Sequence, residues 1–425
     1  MFRTFRDAFK IPDLRQKLVF TLLMLLVIRI GAAIPIPGID STELQKAFAG
    51  NDLLGLYDAF SGGAFANMTL FAMGIVPYIN ASIIMNLLTI AIPPLEEMQK
   101  EGTEGRKKIA KITRIATVGL ALLQGTATSI GLQNIFVKYD FFSVIVAIFA
   151  MTAGTAFLMW IGERITESGI GNGISLIIFV NILSRLPAGV KALYNEVTVG
   201  NYIAVFAVLA VLFGMVMLVV LIYLGERRIP VQYAKRVQGR KVYGGQSTHI
   251  PIRVNMAGVI PVIFASSLLA FPRTIIQLFS LEPANWMTKI LNVLNYQQIL
   301  PGEFPFGIFL YVTLIILFAY FYTAIIFNPF EVANNMKKNG GFVPGIRPGK
   351  PTVDHMTTIL NRMVLIGGLI LSIIASAPIF LAWVTDIKIS LGGTSLIIVA
   401  GVCIETVKQI ESQLVMRHYK GFLNA

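Results

Sequence analysis

Cysteine and histidine are nearly absent from this chain. Cys403 stands alone, and His249, His355 and His418 are scattered through hydrophilic segments. A single cysteine excludes an intrachain disulfide and a thiolate metal cluster, and three separated histidines form no ligand-spaced set. No metal and no cofactor is therefore expected, and Cys403 reads as a small buried residue of an apolar segment. Charge is scarce as well. Only 13% of the 425 residues are charged against 55% hydrophobic, which excludes an ordinary soluble domain. Ionisable residues within the apolar runs are few, Arg29 and Glu405 among them, and Gln124 is an uncharged polar residue of the third run. Arg29 reads as snorkelling from the end of its helix, Glu405 as paired or hydrated near Lys408, and Gln124 as one interhelical hydrogen bond. A proton- or ion-coupled transporter needs more intramembrane charge than this.

Several catalytic signatures are missing too. The nearest approach to a phosphate-binding loop begins at Gly340, where Gly345 has the required spacing but Ile346 stands in place of the lysine. The Gly169–Gly173 run, GIGNG, lies between two apolar stretches with no strand before it, and reads as a tight turn. No paired aspartates and no Ser–His constellation fall within the apolar runs, so an intramembrane protease is not supported.

What the chain does have is apolar runs near 20 residues, the length that crosses a hydrocarbon core of about 30 Å. There are ten: Leu18–Ile34, Ala72–Ile92, Ile112–Leu132, Phe141–Ile161, Ile174–Val190, Tyr202–Leu224, Met256–Phe279, Gly307–Phe327, Met363–Leu381 and Leu391–Ile410. The first is long enough to stay as a span. Lysines and arginines crowd alternate connections: the amino terminus, the loop at Lys100–Arg114, and the large loops Gly225–Val254 and Asn328–Arg362. The positive-inside rule then puts both termini in the cytoplasm. The first large loop holds seven basic residues against Glu226 alone. Attraction to anionic lipid accounts for the sign, at about 1 kcal/mol per basic residue. The length of the loops, and the Gly, Pro and aromatic residues among the charges, also suit docking of a large acidic protein or RNA. Those two readings stay open on the sequence alone.

One stretch departs from the spanning pattern. From Leu53 to Ile83 the apolar run is broken by Asp58, Ser61-Gly62-Gly63, Asn67, Gly74 and Pro77. Its first piece, Leu53–Asn67, is too short and too polar to cross, and backbone at Gly62–Gly63 cannot face lipid without unsatisfied polar groups. A short helix inside a protein-lined cavity at mid-membrane is the expectation.

The motifs FSGGA at Phe60–Ala64, PYINASII at Pro77–Ile84, ITESGIGNGIS at Ile165–Ser175 and QSTHIPIRVNMAGVIPVIFASS at Gln246–Ser267 resemble those of the bacterial SecY family. So do FNPFEVANNMKKNGGFVPGIRPG at Phe327–Gly349 and GGTSLIIV at Gly392–Val399. The family supplies the pore subunit of the protein-conducting channel, and the likeness runs through the whole chain in order. It implies an all-α polytopic membrane protein in the bacterial cytoplasmic (inner) membrane. Ten transmembrane helices would form two pseudo-symmetric five-helix halves, residues 1–190 and 191–425, around an hourglass pore with a short plug helix at about 53–67.

The resemblance also carries roles onto particular positions. It implies a hydrophobic pore ring at Ile79, Ile83, Ile174, Ile178, Ile263 and Ile398, and a plug that includes Phe60, Ser61, Gly62, Gly63, Ala64 and Asn67. A ring of bulky apolar side chains yields to a varying passenger and dewets when idle, which holds back ions. The lateral gate would involve Ile84, Asn86, Gln124, Ser266, Ser267 and Phe271. A signal sequence of about twelve apolar residues gains about 4–7 kcal/mol in lipid, enough to bias a balanced gate. Ile84 and Phe271 are apolar where some relatives are polar, so a complete polar gate cluster is not expected. Arg236, Arg240, Lys241 and Arg347 would dock the SecA motor ATPase or the ribosome, which supply the energy for an otherwise passive channel. SecE and SecG are implied as further subunits. Membrane lipid and nascent or secretory polypeptides with their signal sequences complete the partners. The competing reading is a secondary transporter with inverted repeats and a discontinuous helix. The shortage of membrane carboxylates and the two oversized basic loops tell against it.

Overall fold

The computed structural model describes residues 6, 8–40, 58, 61–233, 236–238, 241–243, 247–278, 291, 293–294, 306–385 and 393–423. Helices lie on every one of the ten apolar runs. In order they are α1 (Pro12–Gly31), α2 (Val76–Ala91), α3 (Pro93–Lys100), α4 (Thr103–Gly131), α5 (Phe141–Ser168), α6 (Gly173–Leu183), α7 (Leu186–Val199) and α8 (Tyr202–Leu224). After four strands come α9 (Ile260–Leu278), α10 (Phe306–Ile326), α11 (Pro329–Lys338), α12 (Lys350–Thr385) and α13 (Gly393–Leu423). Among the described residues five helical stretches are long and apolar enough to cross a membrane, with α6 and α7 counted as one, and the bent pair α2–α3 makes a sixth. The 99° bend falls where Ile92 is extended and Pro93 follows. Proline disfavours helical backbone in the residue before it, so the helix stops there and a new one starts.

Several helices outrun their apolar segments. α4 begins nine residues before Ile112, and α12 begins thirteen before Met363, so each carries a basic first section beyond the hydrocarbon-length run. Hydropathy marks the part that lipid touches; backbone hydrogen bonding continues past it.

The chain forms two compact units: residues 1–205, 270–292 and 387–425, and residues 206–269 with 293–386. In the first, α4 packs between α2 and α5, while α6 packs on α5, α1 and α13. A core of Met68, Ala72, Met73, Ala121, Ala147 and Met151 lies between α2, α4 and α5. Close approach depends on small residues: a Cβ on Gly173 would overlap the carbonyl of Gly162 on α5. Of the GIGNG run only Gly171 is left-handed, at φ +88. Gly169 and Gly173 are there for contact and Gly171 for the turn, so the expected tight turn has two physical causes. Thr21 Oγ1 accepts from the Ile170 N–H at 3.1 Å and Asn172 caps α6 through Ser175 N–H at 3.3 Å.

In the second unit α10 packs on α12. The two large basic loops meet in a sheet there. Strand β1 (Glu226–Tyr233) pairs antiparallel with β4 (Ser247–Arg253) and with β5 (Gly341–Phe342), in the order β4–β1–β5. Between them β2 (Arg236–Gln238) and β3 (Lys241–Tyr243) form a separate two-stranded hairpin. Ile229, Val231 and Ile252 bury against Ala333 and Met336 of α11 and Met356 and Leu360 of α12. What hydropathy marks only as loops is thus a small folded body on the ends of the membrane helices.

Candidate pore, plug seat and docking face

Ile79 and Ile83 fall one turn apart on α2, and Ile174 and Ile178 one turn apart on α6, so each couple shares a helix face. Ile79, Ile83 and Ile174 are half-buried, while Ile178 and Ile398 on α13 are buried. The tip of Ile174 rests on Gly162 of α5. α2 and α6 both pack on α5, and α6 also packs on α13, so five of the six isoleucines belong to one connected set of helices in the first unit. Ile263, half-buried on α9, belongs to the second unit.

The plug segment is described at Asp58 and from Ser61 onward; Phe60 lies outside the described residues. Asp58 and Ser61 are helical and residues 62–67 run as consecutive turns, so the described part of the expected helix does not continue past Ser61. The cause is visible in the hydrogen bonds. Asp58 Oδ1 accepts from the Ala66 N–H at 2.8 Å, and the Asp58 carbonyl from the Gly63 N–H at 3.2 Å. Ser61 Oγ accepts from the Phe65 N–H at 3.0 Å, and Asn67 Nδ2 donates to the Gly63 carbonyl at 2.9 Å. Side chains replace the helical ladder, and Gly62 and Gly63, at φ +69 and +91, let the backbone turn back.

This knot sits on the α6–α7 junction. Asp58 is fully buried and forms an ion pair with Arg185. Ser184 Oγ donates to the Gly62 carbonyl at 3.0 Å. Arg29 of α1 donates to Asn181 Oδ1 at 2.6 Å. An alanine Cβ at Gly62 would lie 2.8 Å from Arg29 Nη2 and 2.8 Å from Asn181 Cα. Ala64 is buried and its carbonyl accepts from Thr69 N–H at 3.0 Å. Arg29 therefore does not snorkel: its guanidinium turns inward to the seat, because Asn181 offers an acceptor there. Sequence reasoning misses this seat. Each member is unremarkable in its own segment, and Arg185 is a single basic residue near the end of the fifth apolar run.

Among the gate positions, Ile84 is 45% exposed on α2, and Asn86 on α2 and Gln124 on α4 are half-buried on packed neighbours. The Asn86 carbonyl accepts from Thr89 and the Gln124 carbonyl from Thr128, each at 2.8 Å. Ser266 is buried and donates to the Ile263 carbonyl at 2.9 Å, and Ser267 is half-buried. Phe271 lies on α9, with its side chain outside the described residues.

On the basic loops, Arg347 is exposed in the turn before α12, where its carbonyl accepts from Thr352 Oγ1 at 2.9 Å. Arg236 and Lys241 lie on β2 and β3 and Arg240 outside the described residues. Pairing of Tyr233 with Gly341 ties the two loops together.

Cys403 and Glu405 also find their places on α13. Cys403 is exposed, not buried: α13 buries Val402, Ile404, Val407 and Ile410, and Cys403 lies off that stripe. Glu405 lines a cavity of about 220 Å³ with Thr166, Asn172, Ser175, Thr406 and Gln409.

The SecY family model matches residues 69–407. The chain belongs to the SecY family. It is 47% identical over 443 residues to the protein translocase subunit SecY of Streptomyces galbus, covering 100% of both chains. Three solved structures share its fold over 94% of this chain and 92% of theirs. One is a protein-conducting channel, at TM-score 0.68 and 18% identity. A second, at 0.65 and 18%, is a SecY whose plug domain is described as stabilising the closed channel and maintaining a membrane seal. The third is Sec61 in a canine ribosome–channel complex from the endoplasmic reticulum, at 0.63 and 17%. This SecY-family chain is accordingly an all-α polytopic membrane protein and a subunit of a protein translocase, as the motif resemblance implied.

Proposed function

We propose that this chain is the central pore of a bacterial protein-conducting channel, closed at rest by the segment around 58–67 and by a ring of Ile79, Ile83, Ile174, Ile178, Ile263 and Ile398. Residues 1–190 and 191–425 form its two halves, with both termini in the cytoplasm and the inner membrane as its location. Unfolded polypeptides pass through the ring, and apolar segments leave sideways past Ile84, Asn86, Gln124, Ser266, Ser267 and Phe271.

The observation that carries this reading is the plug knot. It is too short to span, pairs its polar groups within itself and with Ser184, and buries Asp58 against Arg185 at the end of the same α6 that bears Ile174 and Ile178. Polar backbone at membrane depth is tolerated where it is buried in protein or lines a cavity. Segments that must open and close are built from such locally stabilised pieces. The absence of a nucleotide-binding motif puts the energy source in a partner, the SecA motor or a translating ribosome. Arg236, Arg240, Lys241 and Arg347 are its docking residues, and SecE and SecG are companion subunits. The sheet that joins the two basic loops supports a single docking face.

Reconstituted proteoliposomes test the reading. The complex should transport a secretory precursor when the motor and ATP are added and should accumulate no small solute. Arg347→Glu should cut motor-dependent transport at least about tenfold while leaving resting ion leak unchanged. Full transport by Arg347→Glu would remove that residue, and solute uptake without precursor transport would favour the secondary transporter.

A further inference from the structure

The plug seat contains a charge pair that the pore reading does not require. Asp58 is fully buried and its partner Arg185 stands at the α6–α7 junction, so the pair joins the start of the knot to the wall. The other end of the segment is held differently. Phe65 and Met68 are 7% and 1% exposed and lie in the apolar core with Ile36, Ala121, Ile135 and Phe136. Between the two anchors are the left-handed glycines 62 and 63. The knot is also self-contained, since Asp58 Oδ1, Ser61 Oγ and the Gly63 carbonyl are satisfied by Ala66, Phe65 and Asn67 within it. One end is thus fixed by apolar packing, the left-handed middle is held by one hydrogen bond from Ser184 to the Gly62 carbonyl, and the far end is fastened by opposite charges.

Resting on the plug reading above, we propose that the Asp58–Arg185 pair is a charge latch and a specificity determinant: it sets how strongly a substrate's targeting segment must bias the channel before the plug leaves its seat. Attraction between buried charges is strong at contact and is replaced by water once they part. Such a pair gives a two-state element instead of a gradual one, and a substrate shifts it only by its differential affinity for the open state. A stronger latch rejects weakly apolar segments, and a weaker one admits them and leaks.

The test uses the complete complex with its partner subunits in proteoliposomes. Two quantities are read: resting halide efflux, and the ratio of transport for a precursor with its full targeting segment to one with that segment shortened. Asp58→Asn removes the charge and keeps an acceptor for Ala66. Arg185→Gln removes the opposite charge, Arg185→Lys keeps it, and Arg185→Glu reverses it. The latch predicts efflux rising about tenfold in Asp58→Asn and in Arg185→Gln, further in Arg185→Glu, and little in Arg185→Lys. The transport ratio should fall towards one in the same order. The double variant Asp58→Asn with Arg185→Gln should be no leakier than either single change, because the coupling is already lost.

Parent-like efflux and ratio in both charge-removing variants would overturn the latch, as would effects that simply multiply in the double variant. If Arg185→Glu does not assemble, Arg185→Lys against Arg185→Gln decides the same question. A parent complex that moves no precursor would instead overturn the pore reading itself, so the two failures are distinguishable.

Discussion

Gly173 and Gly214 show how one residue type carries opposite costs. A Cβ on Gly173 would overlap the Gly162 carbonyl, so α5 and α6 would have to move apart. Nothing stands within 4 Å of a Cβ on Gly214, in the interior of α8. Gly173→Ala should therefore lower the Tm of the purified complex by several degrees. Gly214→Ala should leave it unchanged or raise it slightly, since Gly to Ala in a helix interior stabilises by about 0.5–1 kcal/mol. Thermal unfolding of the two variants beside the parent checks both. Asp58 and Arg185 make the complementary point about charge. Removing one partner of a buried ion pair costs about 3–5 kcal/mol, so the loss at this site should exceed that of exposed pairs such as Lys107–Glu104, which are 75% and 71% exposed and worth about 0–1 kcal/mol.

At the scale of elements, the membrane helices were legible because a run of about twenty apolar residues matches the thickness of a hydrocarbon core. The sheet of the two basic loops was not. Its inward side in β1 is only Ile229 and Val231, too short an alternation to stand out among Arg227, Arg228 and Gln232. Pro230 also argues against a central strand. It fits because β5 pairs β1 only at Gln232 and Tyr233, which leaves Pro230 on an unpaired stretch of that edge. The plug seat escaped for a different reason: Arg29 and Asn181 stand 152 residues apart, and no local period records such a pairing. Ile252 of β4 is fully buried against α11 and α12. Ile252→Ala should cost about 2–5 kcal/mol of local stability. Faster limited proteolysis between β1 and β4, with unchanged resting leak and weakened motor docking, is the expected signature.

At the scale of the whole molecule, the charge asymmetry of the loops predicts a topology that side-selective labelling can read. In a Cys403→Ser background, Lys107→Cys should react with an impermeant thiol reagent only from the cytoplasmic side and Lys138→Cys only from the opposite side. Labelling of both from one side would refute the ten-span arrangement. The apolar waist is tested most directly by crosslinking to a translocating chain. A precursor carrying one cysteine, arrested midway by a folded domain, should form disulfides with Ile79→Cys, Ile83→Cys, Ile178→Cys, Ile263→Cys and Ile398→Cys. It should form none with Leu123→Cys or Ile203→Cys, whose parent side chains are 66% and 88% exposed on α4 and α8. Crosslinks to Leu123→Cys and Ile203→Cys as strong as those to the isoleucine positions would contradict an apolar waist built from these isoleucines.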